Sequence, residues 1–90
     1  MVQKQETLRG LPEWAVRTYL EQIGAHSIED VPKTTKMQTS DWSASWSTRT
    51  VHVPGWPLPI SEITIVFNGE DNAVEDAFRM FMKKAQRAGG

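Results

Sequence analysis

Apolar side chains recur at helical spacing in two parts of the chain, one near each end. In the first part they fall about four positions apart, which predicts an amphipathic helix over residues 12–23. Pro12 suits the first helical position because its missing N–H needs no partner there, and Gly24 suits the residue that ends a helix. The stripe consists of Leu11, Ala15, Tyr19 and Ile23, widened by Trp14, Val16 and Leu20.

The second helical stretch covers residues 72–87. Asn72 is predicted to be its N-cap, with Glu75 at the third helical position in a capping box. Acidic residues crowd the start of this helix and basic residues its end, which complements the helix dipole at both ends. The apolar stripe is Val74, Ala77, Phe78, Phe81, Met82 and Ala85; the charges are Glu70, Asp71, Glu75 and Asp76 at the start and Lys83, Lys84 and Arg87 at the end.

Between the helices the chain is rich in Thr, Ser, β-branched and aromatic residues, which predicts strands over residues 33–39, 42–53 and 60–67. In the middle strand, tryptophan and alanine alternate with serine up to Ser47, whereas Val51 and Val53 have the opposite parity. This change of phase predicts a bulge near Thr48, a change of face or two shorter strands.

The order of these elements predicts an α+β fold. We expect an α-β-β-β-α arrangement, in which a three-stranded antiparallel sheet has both helices packed on one face. Residues 1–9 show no apolar period and are interpreted as a flexible N-terminal arm, and residues 10–88 as a single domain. A chain of 90 residues supports one hydrophobic core.

The amino-acid composition indicates the cellular compartment and excludes some kinds of site. The chain has no cysteine, so disulfides and thiolate metal sites are excluded and a reducing compartment is favoured. It has no apolar stretch of about 20 residues and no signal peptide, so we expect no contact with a membrane. The protein is therefore expected to be intracellular, either cytoplasmic or organellar, and not secreted.

No group of residues indicates catalysis. His26 and His52 are far apart, no Gly-x-Ser-x-Gly elbow occurs, and glycine-rich phosphate loops are absent from the sequence. His52 could act as a base, but we expect it to be a strand histidine that faces solvent or a neighbouring polar group. We expect no enzyme activity, no catalytic residue, no metal and no cofactor.

Basic and aromatic residues lie close together in the strand region, a mixture typical of proteins that hold nucleic acid strands. A small sheet needs large aromatics in its core, so Trp42 and Trp46 are predicted to be buried. Trp56, in a turn stiffened by proline, is predicted to be a surface anchor for a partner. The candidate contacts with protein or RNA are Lys33, Lys36, Arg49, His52, Trp56, Lys83 and Lys84.

Over residues 11–87, the order of helix, three strands and amphipathic helix resembles the double-stranded-RNA-binding domain. In that family, lysines at the start of the last helix contact phosphates across the major groove. The matching positions here are acidic, and their carboxylates repel a duplex. The resemblance therefore implies a noncatalytic module of an RNA-associated protein or assembly that mediates protein–protein contacts. The alternative is direct binding of double-stranded RNA through Lys33, Lys36, Arg49, Lys83 and Lys84.

The pair Gly89-Gly90 supports a different interpretation. It is similar to the Gly-Gly end of ubiquitin-like modifiers and sulfur carriers, whose carboxyl group is activated. Those folds begin with a β-hairpin, whereas the first predicted element here is a helix. An accessory domain of such a protein is therefore the remaining alternative, beside a simple helix stop after Arg87. The sequence leaves open whether an edge of the sheet pairs with another chain.

Overall fold

The computed structural model describes residues 1–27 and 35–88, with side chains as far as Gln86. Strands and helices make up most of this part of the chain. In chain order they are β1 (Val2–Arg9), α1 (Glu13–Gln22), β2 (His26–Ser27), β3 (Lys36–Gln38), β4 (Trp42–Val51), β5 (Ile60–Gly69) and α2 (Asp71–Ala88).

The strands form one antiparallel sheet in the order β1-β5-β4-β3-β2. The α+β class predicted from the sequence is confirmed, but the sheet has five strands and not three. One of the two additional strands, β2, has only two residues, which is too short to produce an apolar period. Neither helix in the described part of the chain is long and apolar enough to cross a membrane.

The other additional strand, β1, occupies the residues interpreted as a flexible arm. It pairs with β5 along its whole length, from Val2 opposite Gly69 to Arg9 opposite Glu62. Its helix-facing positions include Lys4, whose Nζ lies 5.7 Å from the centroid of the Phe78 ring. A lysine that covers the core with its stem hides the alternation that normally reveals a strand. Structure therefore begins at Val2 and not near Gly10.

Strand β4 follows β5 in continuous register, from Trp42 opposite Gly69 to Val51 opposite Ile60, without an extra residue. The change of phase in its sequence is therefore a change of face, and no bulge occurs at Thr48. Its first half contributes Trp42, Ala44 and Trp46 to the core, while its second half is more exposed. The prediction that Trp42 and Trp46 are buried is confirmed.

The core lies between one face of the sheet and the two helices. At its centre is Phe67, whose ring centroid lies 5.6 Å from those of Trp42 and Phe81 and 5.8 Å from that of Phe78. Tyr19 of α1 packs edge-on against Phe81 of α2 at 6.2 Å. Both helices therefore pack on the same face of the sheet, as predicted. They contribute Ala15, Val16 and Leu20 from α1 and Val74, Ala77, Phe81 and Ala85 from α2.

The N-cap of helix α2 lies two residues earlier in the chain than the sequence predicts. The Glu70 carboxylate accepts hydrogen bonds from the backbone N–H groups of Asn72 (3.3 Å) and Ala73 (2.9 Å), so Glu70 is the cap and Asn72 lies inside the helix. The backbone N–H of Glu70 itself donates to the Asp41 carbonyl at 3.0 Å. The start of α2 is thereby fixed to the turn between β3 and β4.

Candidate functional site

The face of the sheet opposite the helices, called the open face here, is lined mainly by uncharged polar side chains. It has a shallow depression of about 200 Å³. The depression is lined by Ser45, Trp46, Ser47, Thr64 and Val66. The side chains of Ser45, Ser47, Thr64 and Val66 belong to the open face, whereas the Trp46 side chain is buried on the side of the helices.

One buried charge stands out on the open face. Glu62 is 3% exposed and lies between two arginines from the neighbouring strands. Its Oε2 accepts from Arg9 Nε at 3.0 Å, and its Oε1 accepts from Arg49 Nε at 2.7 Å. The hydrogen bonds from Arg49 and then Arg9 lower the pKa of Glu62, against the opposing effect of burial. The three side chains tie β1, β5 and β4 together across the open face.

Acid is expected to weaken the fold through Glu62. Because its pKa is lower in the folded chain than in the unfolded one, the stabilisation is full above the unfolded pKa and is lost as the pH falls through the folded pKa. The melting temperature of the wild type should therefore drop in this acidic range. In Glu62→Gln, whose amide does not titrate, the drop should be smaller, and Glu21→Gln, at an exposed position of α1, serves as the control. Equal acid dependence in wild type and Glu62→Gln would contradict this assignment.

Helix α2 carries the chain toward the end of the sheet opposite the turn at Asp41. The helix has 18 residues and so spans about 27 Å, while the ten residues of β5 span about 33 Å. The connection between β4 and β5, residues 52–59, lies at that far end. Gly89-Gly90 follow the last described residue of α2 in the sequence.

Two exposed apolar side chains lie in this connection. Trp56 is 62% exposed and Leu58 is 69% exposed. The exposure of Trp56 agrees with the prediction of a surface residue, and its contact with a partner stays a prediction. Trp14, in the first turn of α1, is 69% exposed, although the sequence interpretation placed it in the apolar stripe. On a helical wheel Trp14 lies nearly opposite Tyr19, a signal that could have identified it.

The candidate cations do not form one patch. Lys36 and Arg49 lie on the open face, because they share the parity of Ser45 and Glu62 in the register. Arg49 is held by Glu62, and His52 is exposed just after β4. Lys83 is exposed and Lys84 half-buried on α2, in the layer on the opposite side of the sheet, and Lys33 lies outside the described residues. A single duplex therefore does not meet all of these side chains together.

Within the described ranges, 1–27 and 35–88, no three His, Asp or Glu side chains lie close enough together to hold a metal ion.

The family comparison points away from RNA. A family model described as archaeal MoaD-like protein matches residues 4–90, nearly the whole chain. No curated protein sequence matches. MoaD-like proteins are sulfur carriers of ubiquitin-like type, so the interpretation as a double-stranded-RNA-binding domain in an RNA-associated protein is wrong. The chain belongs to the archaeal MoaD-like protein family.

Proposed function

We propose that this protein is a small carrier that presents the carboxylate of Gly90 to an activating partner protein, and that it is a substrate and not an enzyme. The observation that carries the proposal is the family match, which includes Gly89-Gly90. The same pair underlies the similarity to sulfur carriers in the sequence. A protein partner, and not a nucleic acid, is the expected ligand.

The chemistry requires activation because a carboxylate is a poor electrophile. In the first step, a Gly90 carboxylate oxygen attacks the α-phosphorus of ATP, and pyrophosphate leaves. In the second step, hydrosulfide attacks the carbonyl carbon of the acyl adenylate and AMP leaves, which forms a thiocarboxylate and releases one proton. Glycine suits these positions because the absence of a Cβ allows the backbone to enter a narrow active site.

The fold supports a carrier by providing a stable body for the Gly-Gly segment. Helix α2 is capped at its start by Glu70 and buries Val74, Phe81 and Ala85 against the sheet. One feature departs from the carriers that begin with a β-hairpin, because β1 pairs with β5 and not with the next strand. The proposal therefore depends on the family match and on Gly89-Gly90.

The exposed Trp56 and Leu58 are proposed as part of the surface that the activating protein contacts. They are exposed in the connection between β4 and β5, at the end of the sheet opposite the turn at Asp41, and offer apolar surface to a partner there. A large, exposed aromatic side chain on a stiff turn loses little entropy on binding, which favours a strong contact.

The full chain, ATP, hydrosulfide and an adenylating enzyme of the sulfur-carrier class from the same organism provide a direct test by intact-mass spectrometry. We expect a mass increase that corresponds to replacement of one oxygen by one sulfur. Deletion of Gly90 should abolish the increase, whereas Gln86→Ala, an exposed position on α2, should retain it.

Absence of both the adenylate and the thiocarboxylate from the wild type, in reactions where the enzyme activates a known carrier, would refute the carrier function. Trp56→Ala should slow activation without changing the melting temperature. An unchanged rate would remove this loop from the contact surface while leaving the function of Gly90 intact.

A further inference from the structure

Strand β1 forms one edge of the sheet, and no described strand pairs with its outer side. Its eight residues contain no proline and keep a regular register with β5 from end to end. Natural proteins protect such an edge with proline, a bulge, a very short strand or charged side chains, and of these β1 has only the charges of Lys4 and Glu6, which a strand of complementary charge can match. The long, regular edge of β1 is therefore available for pairing with another strand.

The register identifies which residues direct their backbone outward. Gly10 N–H donates to the Ser61 carbonyl at 2.9 Å, and hydrogen-bonded pairs alternate along an antiparallel ladder. The even-numbered residues of β1 therefore bond to β5, and the odd-numbered ones face the edge. Thr7 agrees with this assignment, since its N–H donates to the neighbouring Glu6 carboxylate at 3.3 Å. Gln3, Gln5, Thr7 and Arg9 are thus the residues of β1 whose N–H and C=O groups face outward.

We propose that β1 pairs antiparallel with β1 of a second copy of this chain, with Gln5 opposite Gln5. An outward-facing residue must oppose another outward-facing residue, so odd numbers meet odd numbers across the interface. In this register Lys4 lies opposite Glu6 of the second copy, and Val2 lies opposite Leu8. Every charged and apolar side chain from Val2 to Leu8 then meets a complementary one.

The neighbouring registers lack this complementarity. Shifting the pairing by one hydrogen-bonded step in one direction places Lys4 directly opposite Lys4 of the second copy. The same shift in the other direction places Glu6 opposite Glu6. Like charges directly opposite each other destabilise a strand pair, so charge selects the register centred on Gln5.

The helices also fit this arrangement. Helix α2 contacts both β1 and β5 on one face of the sheet, and a two-fold axis through the β1 pair places both copies of α2 on that same face. Neighbouring strands lie about 4.8 Å apart, and each α2 lies over β1 and β5 of its own copy. The two α2 axes are then about 10 Å apart, close to the distance at which helices pack. The second copy would therefore extend the helix layer at a separation typical of packed helices.

Within one copy, Lys4 and Glu6 make weak contacts that the pairs across the dimer interface would replace. Lys4 Nζ lies 3.8 Å from Glu75 Oε1, and both side chains are partly exposed. The bond from Thr7 N–H to Glu6 is also exposed and long. Partly exposed ion pairs contribute little to stability, so the charged ends of Lys4 and Glu6 can turn to a second copy while the stem of Lys4 still covers the core beside Phe78.

Sedimentation of the full chain over a concentration series tests the pairing through a charge swap. We expect a monomer–dimer equilibrium for the wild type. Lys4→Glu and Glu6→Lys should each weaken dimerisation about tenfold, because each creates two like-charge pairs across the two-fold axis. The double variant Lys4→Glu with Glu6→Lys should return to within about threefold of the wild type. Glu21→Lys, on the exposed surface of α1, is the matched control and should leave the equilibrium unchanged.

Gln5→Pro gives a second measurement that does not depend on charge. It removes an N–H that faces the edge and not β5, so the fold should be retained while dimerisation is lost. A wild type that is monomeric at about 1 mM would overturn the proposal. So would a dimer that neither single charge variant weakens, or a double variant that fails to recover.

Discussion

Replacing Phe67 with alanine is expected to lower the free energy of unfolding by about 3–5 kcal/mol, the largest effect of any single substitution proposed for this chain. Phe67 is fully buried, and its ring lies against three other aromatic rings, those of Trp42 in β4 and of Phe78 and Phe81 in α2. Its removal leaves a cavity that Trp42, Phe78 and Phe81 cannot all close. A domain of this size has a total stability of about 5–15 kcal/mol, so the variant should be close to unfolded.

Urea denaturation followed by tryptophan fluorescence measures this effect. Leu58→Ala is the control, because Leu58 is 69% exposed and its truncation should change the free energy of unfolding by less than about 0.5 kcal/mol. If Phe67→Ala and Leu58→Ala have similar unfolding midpoints, the position of Phe67 at the centre of the core is wrong.

The second large effect is expected for Gly69→Ala, at about 3 kcal/mol. Gly69 has a φ of +149°, which side chains rarely adopt, and it lies where β5 passes the turn before β4. A Cβ at this position would overlap the Asp41 carbonyl oxygen and approach the Trp42 Cα to 2.7 Å. Both are backbone atoms, so the turn itself must move to admit a methyl group.

Gly10→Ala separates the two causes of this loss. Gly10 also has a positive φ, +78°, but a Cβ there meets no atom within 4 Å. Its replacement should therefore cost only about 1 kcal/mol, from backbone strain alone. Equal losses in the two variants, measured by the same urea titration, would show that contact with Asp41 and Trp42 is unimportant.

The helices and the two long strands could be predicted from the sequence because their signals are local. Residues 12–23 and 72–87 were expected to be helical, and the observed helices are Glu13–Gln22 and Asp71–Ala88. In both, an apolar stripe repeats at helical spacing over several turns. Strand β5 begins at the predicted residue and extends two residues beyond the predicted end, through Asn68 and Gly69.

Strand β1 could not be predicted because its specificity comes from its partner. Its helix-facing positions are apolar only at the ends, at Val2 and Leu8, and charged between them, at Lys4 and Glu6. Only the neighbouring β5 and Phe78 show that these positions cover the core. Without β1 and the two-residue β2, the remaining order of elements matches that of the double-stranded-RNA-binding domain, which explains the incorrect resemblance.

The candidate site was predicted only in part, since closeness in sequence is a poor guide to closeness on a sheet. Arg49 was selected as a cation for a partner, but it binds Glu62, thirteen positions later in the chain. Nothing local to Glu62 indicates that two arginines from separate strands meet there. The alternative interpretation based on Gly89-Gly90 needed no neighbouring side chains, and the family match supports it better than it supports the main interpretation.

The pairing of β1 with β5 also has a consequence for the order of folding. Arg9 and Glu62 are separated by 53 positions, and Val2 and Gly69 by still more, so this ladder closes the longest loop in the sheet. Contacts between β3, β4 and β5 are local by comparison and form with a smaller loss of chain entropy. During synthesis β1 leaves the ribosome first, yet it has no partner until β5 has followed it. The first strand to be made is therefore expected to be the last to join the sheet.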